Sequence, residues 1–251
     1  MIDSHIHCDS RSFEDYRKMA VSGVSTAITC AYYPYKFTNS TTLLDHFRRI
    51  REFEKERALK NGLKLEVALG IHPSNIIDNY VPVFDELKKL IHNKEIIAIG
   101  EIGIDSGGAE EEKFFKNQLL LADEEKFKAI VHTPRKNKLE TLKRIKEIVL
   151  ENINPKLVVI DHINLNVIAE VVDENFQLGI TVQPEKMDVS EAIAIFKNYG
   201  CDKKMLNSDV SYMRSDILSV PKTANEMKIQ GFKEKDIEKV SSSNAKEFFS
   251  I

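Results

Sequence analysis

The 251-residue chain contains no tryptophan, only three cysteines, and no large excess of one charge over the other. Cys8, Cys30 and Cys201 are odd in number and far apart, which excludes a disulfide framework and a CxxC zinc knuckle. We therefore expect a reducing, cytoplasmic location. Lys+Arg 36 against Asp+Glu 39 give a formal net charge of -3, so no global field attracts nucleic acid or an anionic membrane. Any phosphate-bearing partner must be held by local groups.

Long hydrophobic runs and flexible linkers are also absent. No stretch approaches the roughly 18 consecutive apolar residues that a bilayer span requires, and the N-terminus lacks the basic and apolar regions of an export signal. The chain has 42% hydrophobic residues and no Pro/Gly/Ser-rich linker, which predicts one globular domain covering residues 1–251. We expect no membrane association and no obligate protein partner.

Short β-branched runs recur along the chain at regular intervals. Each run is compact enough to be a buried parallel strand rather than a helix. We count eight of them, at residues 1–7, 24–31, 64–71, 95–102, 128–133, 156–162, 177–183 and 203–209. Dividing 251 residues by 8 leaves about 31 residues per unit, which is the length that a strand followed by a helix needs.

The segments between these runs have apolar residues at the three-to-four-residue spacing of amphipathic helices. We predict helices at residues 40–62, 83–93, 110–124, 137–151, 165–175, 190–199 and 233–249. This alternation without a linker predicts an α/β fold, a (β/α)8 TIM barrel, whose typical length is about 250 residues. An open doubly wound sheet is disfavoured because no G-x-G-x-x-G follows the first strand, and GIDSGG after the fourth lacks the Lys-Ser/Thr of a P-loop.

Most of the seven histidines lie at the ends of predicted strands. Those in or just after the last residues of the first, third, fifth and sixth strands are His5, His7, His72, His132 and His162. In a TIM barrel the C-terminal ends of the strands form one mouth, so these distant residues become neighbours. Glu101 lies at the penultimate position of the fourth run and Asp209 at the last position of the eighth, and we expect them to join the histidines.

His5 and His7 form the most informative pair, because residues two apart on a strand point to one face with Cα atoms about 7 Å apart. Alone, H-x-H is a common tripeptide without metal. Four imidazoles and two carboxylates, however, exceed the ligands of a single zinc and suffice for two divalent ions that share Glu101. The nitrogen and oxygen donors disfavour calcium and leave zinc, manganese, magnesium, cobalt or nickel open.

Several short motifs, taken in order, resemble those of the TatD-like metal-dependent hydrolases of the amidohydrolase superfamily. They are MIDSHIH, GIHP, GEIGID, HTPR, DH at residues 161–162 and SD at residues 208–209. The resemblance spans nearly the whole chain and implies a binuclear metal site and hydrolysis, most often of phosphodiester bonds in DNA. It implies that one metal is held by His5, His7, Glu101 and Asp209, and the other by Glu101, His132 and His162.

The chain departs from the family pattern beside these ligands. Family members carry H-x-R after strand 5, H-C-F or H-x-F after strand 6 and E-T-D at strand 8, whereas this chain has HTPR, DHIN and NSD. The metal ligands survive these differences, but the neighbours that face the substrate do not. The identity of the substrate therefore stays open.

The resemblance also suggests roles for residues around the ligands. It implies that His72 binds substrate or assists the leaving group, the alternative being a hydrogen-bonded rim histidine. We expect Arg135 to clamp a phosphate, and Asp105 to position substrate or brace another rim residue. Asp209 is either the general base or a ligand only. Lys138 is interpreted as part of a solvated helix start.

The leading functional hypothesis is a two-metal phosphodiesterase of the TatD type, a deoxyribonuclease that trims nucleic-acid ends in the manner of a 3′–5′ exonuclease. An alternative keeps the same metals and hydrolyses a carboxylic ester or amide, for example in aminoacyl-tRNA. A remote alternative is a non-catalytic binding barrel stapled by metal, which would leave no open coordination position for water.

Overall fold

In the computed structural model, which describes residues 1–251, eight parallel strands form one sheet in chain order. The strands are β1 (Ile2–Ile6), β2 (Thr26–Cys30), β3 (Lys64–Leu69), β4 (Ala98–Gly103), β5 (Ala129–His132), β6 (Val158–Ile160), β7 (Gln177–Thr181) and β8 (Lys204–Asn207). The sheet closes where the Asp209 amide donates to the His5 carbonyl at 2.9 Å and the His7 amide donates to the Val210 carbonyl at 2.7 Å. The predicted TIM barrel is confirmed.

Helices connect the strands on the outside of the barrel. They are α1 (Phe13–Val21), α2 (Ser40–Arg48), α3 (Lys55–Leu59), α4 (Val81–His92), α5 (Ala109–Glu124), α6 (Lys138–Asn152), α7 (Val189–Tyr199), α8 (Ser219–Ile229), α9 (Glu234–Glu238) and α10 (Asn244–Phe249). A π-helical segment, Arg49–Glu54, joins α2 to α3, so the predicted helix at 40–62 forms with an irregular middle. None of these helices is long and apolar enough to cross a membrane.

The helix predicted at residues 165–175 is wrong. The connection from β6 to β7 contains only a 3-10 turn, Ile168–Glu170. The segment forms i→i+3 bonds, from the Glu170 amide to the Val167 carbonyl and from the Val171 amide to the Ile168 carbonyl, both at 3.1 Å, which are the bonds of 3-10 turns. β-Branched residues such as Val167, Ile168 and Val171 lose side-chain freedom in an α-helix, which lowers the helix propensity of this short connection.

Two apolar clusters stabilise the barrel. The larger one, of 60 buried residues, packs the outer faces of the strands against the helices. The smaller one, of 11 buried residues, fills the end of the barrel where the strands begin. Its members include Ile2, Ile130 and Met205 from the strands, together with Phe248 and Phe249 from α10. The last helix therefore closes the N-terminal end of the barrel, and only the opposite end is open to a ligand.

Candidate active site

Six side chains from five strands meet at the C-terminal end of the barrel, around the carboxylate of Glu101. Glu101 Oε1 lies 2.9 Å from His132 Nδ1 and 2.8 Å from His162 Nε2. Glu101 Oε2 lies 3.5 Å from His5 Nε2 and 3.6 Å from His7 Nε2. His7 Nε2 is in turn 3.2 Å from Asp209 Oδ1. The structure thus brings together all six residues that the sequence predicts as metal ligands.

The backbone at two of these residues is strained in a way that aims the side chains. His162 and Asp209 follow the last residues of β6 and β8 and have φ angles of 61° and 46°. Such left-handed conformations are unfavourable for residues other than glycine and cost of order 1–3 kcal/mol each. Strain of this kind is concentrated at functional sites, because the surrounding fold holds the residue against its local preference. It turns the chain sharply at the rim.

A second layer of groups orients three of the histidines. His5 Nδ1 donates to Asp161 Oδ2 at 2.7 Å, and His7 Nδ1 donates to the Cys30 carbonyl at 3.0 Å. His162 Nδ1 lies 2.9 Å from the Thr181 hydroxyl. Each ring therefore turns its other nitrogen towards the centre of the cluster, which is how proteins present imidazoles to a metal ion.

Asp161 has its own support. The Asn207 side chain donates to Asp161 Oδ1 at 3.0 Å. Gly179 on β7 leaves space for that oxygen, since a Cβ there would lie 1.4 Å from it. Sequence reasoning assigned no role to Asp161 beyond a family motif. The signal that could have identified it is its position one residue before His162, inside the barrel and within reach of β1.

The residues present fit a divalent cation. His5 Nε2 is fully buried, faces Glu101 and has no hydrogen-bond partner. An unpartnered buried nitrogen costs about 1–3 kcal/mol, and a cation between it and Glu101 would remove that penalty. Donor atoms of His5, His7 and Glu101 lie within 4.8 Å of one another, as do those of His72, Glu101 and His132. The donors are imidazole nitrogens and carboxylate oxygens, which suit first-row transition metals.

Electrostatics keep the two carboxylates ionised. Burial raises the pKa of Glu101, but the charges of His5 and His132 outweigh burial and hold the pKa well below its usual range. Burial also raises the pKa of Asp209, and here Lys186 and His162 outweigh it and depress the pKa strongly. Both groups are negatively charged near neutral pH, the form in which they bind cations.

The three residues predicted to face the substrate line the same cleft, which has a volume of about 560 Å³. His72 lies 3.8 Å from Glu101, and its Nδ1 accepts from the Ser74 amide at 3.0 Å. Burial and the nearby His132 lower the pKa of His72 to about 3, so this ring is neutral. Asp105 Oδ1 lies 3.3 Å from His132 Nε2 and braces that ring. Arg135 projects from the rim beyond β5.

The structure adds two rim residues that sequence reasoning missed, Lys186 and Tyr212. It places Tyr212 against Tyr32, whose position just after the second strand allows either stacking on a nucleobase or ordinary packing at the rim. The Lys186 ammonium, from the loop after β7, contacts Asp209 Oδ2. Tyr32 packs against His7 and His72 with ring centroids 5.1 and 4.8 Å apart, and Tyr212 stacks on Tyr32 at 6.0 Å. Lys186 and Tyr212 lie in loops without a recognisable motif. Their only signal was their position after β7 and β8, at the end of the barrel that carries the mouth.

The interpretation of Lys138 as a solvated residue is wrong. Its ammonium donates to the Thr133 hydroxyl at 2.8 Å and to the Pro134 carbonyl at 3.1 Å. The preceding turn causes this, because Asn137 adopts a left-handed conformation with φ 47° at the start of α6. The first residue of the helix therefore folds back towards the barrel instead of extending into solvent.

Comparison with known proteins agrees with this geometry. A family model for TatD-related DNases matches residues 2–250. The chain belongs to this family. A relative described as an uncharacterized metal-dependent hydrolase of Methanocaldococcus jannaschii is 39% identical to this TatD-family chain over 253 residues, covering 100% of both.

One solved structure supports the same family, and a second shares the fold. The crystal structure of a TatD-like protein from Archaeoglobus fulgidus matches with a TM-score of 0.87 and 30% identity, covering 100% of both chains. The phosphotriesterase homology protein of Escherichia coli, solved with phosphate in its active site, has a TM-score of 0.70 at 16% identity and covers 99% of this chain and 98% of its own. This second likeness shows the fold alone. The protein is thus a TatD-family metal-dependent hydrolase built on a TIM barrel.

Proposed function

We propose that this TatD-family protein is a deoxyribonuclease, a phosphodiesterase with two divalent metal ions that removes nucleotides from DNA ends in the 3′–5′ direction. One observation carries the proposal. The two oxygens of Glu101 face different pairs of histidines, Oε1 facing His132 and His162 and Oε2 facing His5 and His7. A carboxylate that faces two donor groups in this way is suited to bridging two ions.

The ligand assignment follows from these contacts. One ion would be held by His5, His7 and Asp209 with Glu101 Oε2, and the other by His132 and His162 with Glu101 Oε1. When bound, divalent ions at such a site lower the pKa of water and polarise the phosphoryl oxygen that is attacked. This reaction needs no protein nucleophile, because water activated at the ions would attack the phosphorus.

Asp209 is our candidate for the general base. Its carboxylate lies at the mouth of the cleft, beside His7, and stays ionised because Lys186 and His162 outweigh the effect of burial on its pKa. An ionised carboxylate at that position can accept a proton from attacking water and pass it towards the leaving oxygen. The alternative is that Asp209 is a ligand only, and the experiment below separates the two roles.

The rim of the cleft suits a nucleotide. His72 and Arg135 face the same space as the ligands, where they would contact the phosphate, and Asp105 holds His132. Tyr212, which is 52% exposed, and Tyr32 provide aromatic faces on which a base can stack. A net charge of -3 disfavours long non-specific tracking along duplex DNA and therefore favours action at ends.

The direct test is DNA cleavage with defined metals. Protein stripped with a chelator is reloaded with zinc, manganese, magnesium, cobalt or nickel and incubated with 5′-labelled single- and double-stranded DNA. We expect metal-dependent shortening from the 3′ end in one-nucleotide steps, and a metal content near two ions per chain. Turnover of simple carboxylic esters without any DNA cleavage would instead establish the alternative esterase or amidase activity.

Asp209→Asn tests the assigned base in the same assay. We expect a folded protein without turnover, and Asp173→Asn, at an exposed position on the β6–β7 connection, as an active control. Retention of both ions by the inactive variant supports a role in proton transfer. Loss of one ion shows that the residue is needed as a ligand, and full activity contradicts both roles.

A further inference from the structure

A small cavity lies beside the ligand cluster, at the ends of β5, β6 and β7. It has a volume of about 100 Å³ and is more enclosed than the main cleft. Thr133, Lys138 and Lys186 line it, and Arg135 borders both this cavity and the cleft. His162, a predicted metal ligand, also lines both spaces, so the cavity adjoins the reaction site. Nothing in the function proposed so far uses it.

The first cation in the cavity, Lys138, is poorly neutralised. Its ammonium donates to the Thr133 hydroxyl and the Pro134 carbonyl, which leaves one of its three N–H groups free. No carboxylate forms a salt bridge with it. Burial, reinforced by the charges of Lys186 and Arg135, lowers the pKa of Lys138 to about 7. Burying an ammonium group without a salt-bridged carboxylate is unfavourable, and an anion bound in the cavity would compensate for it.

The other two cations also have donors to spare. The Lys186 ammonium contacts Asp209 through one N–H group and has no other hydrogen-bond partner. Arg135 makes two weak contacts through Nη2, to Gln183 Oε1 at 3.4 Å and to Met213 Sδ at 3.8 Å. Glu185 is the only carboxylate that lines the cavity, and it is exposed. The side chains around the cavity therefore carry unused N–H donors and excess positive charge.

We propose that this cavity is a second phosphate subsite, in which Lys138 and Lys186, with Arg135 at its edge, bind the phosphate that neighbours the scissile ester. The proposal rests on the proposed phosphodiesterase activity and specifies its substrate: a nucleotide chain with two phosphates separated by one nucleoside. A phosphate is favoured over a carboxylate because several cations converge there, and a terminal phosphate offers them three acceptor oxygens and more negative charge, whereas a carboxylate offers two oxygens and one charge.

The size of the cavity favours one phosphate over a nucleoside. Its volume of about 100 Å³ is less than a fifth of the 560 Å³ of the main cleft. The nucleoside itself must lie in the larger cleft, where Tyr32 and Tyr212 offer aromatic faces. The phosphate would then bind on the β5–β7 side of the mouth, and the nucleobase on the side formed by the loops after β2 and β8.

The first experiment measures binding of inorganic phosphate to the metal-free protein by calorimetry, so that turnover is not required. We expect wild-type protein to bind phosphate, Lys138→Met to bind about tenfold more weakly, and Lys138→Arg to retain binding, since one charged hydrogen bond is at stake. Lys116→Met is the matched control, because it removes the same charge from an exposed position on α5 outside both the cavity and the main cleft. Acetate at the same concentration is expected to bind more weakly than phosphate.

The second experiment compares a dinucleotide with and without a 5′-terminal phosphate as substrates of the metal-loaded protein. In the phosphorylated form, one nucleoside separates this phosphate from the scissile ester. We expect kcat/KM to be about tenfold higher for the phosphorylated form in the wild type, and equal for both forms in Lys138→Met. Equal phosphate binding by wild type and Lys138→Met, or no binding by the wild type, would overturn the subsite.

The two proposals can fail separately. Phosphate binding that depends on Lys138, without cleavage of DNA by any metal-loaded form, would retain the subsite and refute the nuclease. DNA cleavage with no preference for the additional phosphate would retain the nuclease and refute the subsite. Should Lys138→Met fail to fold, phosphate binding by Lys186→Met decides the question, with weakened binding supporting the subsite and unchanged binding refuting it.

Discussion

The two ends of this barrel are built from the same eight strands but from opposite kinds of side chain. At the N-terminal end, Ile2, Ile130 and Met205 pack against Phe248 and Phe249 in a closed apolar cluster. At the C-terminal end, the strands carry histidines and carboxylates around Glu101. One end therefore contributes apolar burial, which stabilises the fold, whereas the other holds polar groups that burial alone does not favour.

The difference shows how a barrel separates stability from chemistry. The buried polar groups at the C-terminal end have unfavourable features, including the unpartnered His5 Nε2 and the left-handed backbone of His162 and Asp209. Such unfavourable features persist only because contacts in the rest of the molecule hold these residues in place. None of the 11 residues of the apolar cluster has an unpartnered buried side-chain nitrogen or a left-handed backbone. If the separation is real, substitutions at the two ends should have opposite effects on activity and stability.

The largest effect is expected for Glu101→Gln. Replacing the central carboxylate by a neutral amide removes the group that faces all four histidines, and kcat/KM should fall by roughly a thousandfold, which corresponds to about 4 kcal/mol. The measurement is DNA cleavage and metal content, with cooperative thermal melting as evidence that the variant folds. Glu151→Gln, at an exposed position on α6, should be fully active. Near-normal activity of the Glu101 variant would contradict the assigned centre.

The next effect concerns the other end of the barrel. Phe248 is 7% exposed, and Phe248→Ala should lower the free energy of unfolding by about 3 kcal/mol because it leaves a cavity in the apolar cluster. Metal affinity and kcat should remain those of the wild type at temperatures where the variant is folded. Chemical denaturation provides the measurement. Phe13→Ala, at a position 54% exposed, is the control and should change stability by less than about 0.5 kcal/mol.

A loss of metal affinity in Phe248→Ala at low temperature would break the comparison, since it would couple the two ends.

The smallest of the three effects tests the support of the metal ligands. In Asp161→Asn, the new amide would donate to His5 Nδ1, which places the proton on Nε2 and removes that nitrogen as a ligand. Metal affinity should fall roughly 10- to 100-fold, as for other groups that orient ligating histidines. Titration of the chelator-treated protein with zinc measures this, with Asp173→Asn as the control. Unchanged affinity would show that Asp161 serves packing alone.

Much of the barrel was predictable because its signals are local. The eight β-branched runs between amphipathic segments predict the strands, and the positions of His5, His7, Glu101, His132, His162 and Asp209 at strand ends predict one cluster. Two rules suffice to predict this cluster: alternate residues of a strand point to the same face, and parallel strands all end at the same side of the sheet. The failed helix at residues 165–175 marks a limit of such reasoning, since its β-branched residues have helical spacing but form only 3-10 turns.

Loop conformations were not predictable. The position of Lys186 against Asp209 and the inward turn of Lys138 depend on how the chain leaves β7 and β5, which no periodic pattern encodes. The space that Gly179 leaves for Asp161 is likewise a contact between two strands. Amino-acid order alone specifies the strands, their direction and the residues at their ends, because these follow from neighbours in the chain. The orientation of each ring and the cations beside the cluster arise only from packing between segments far apart in the chain.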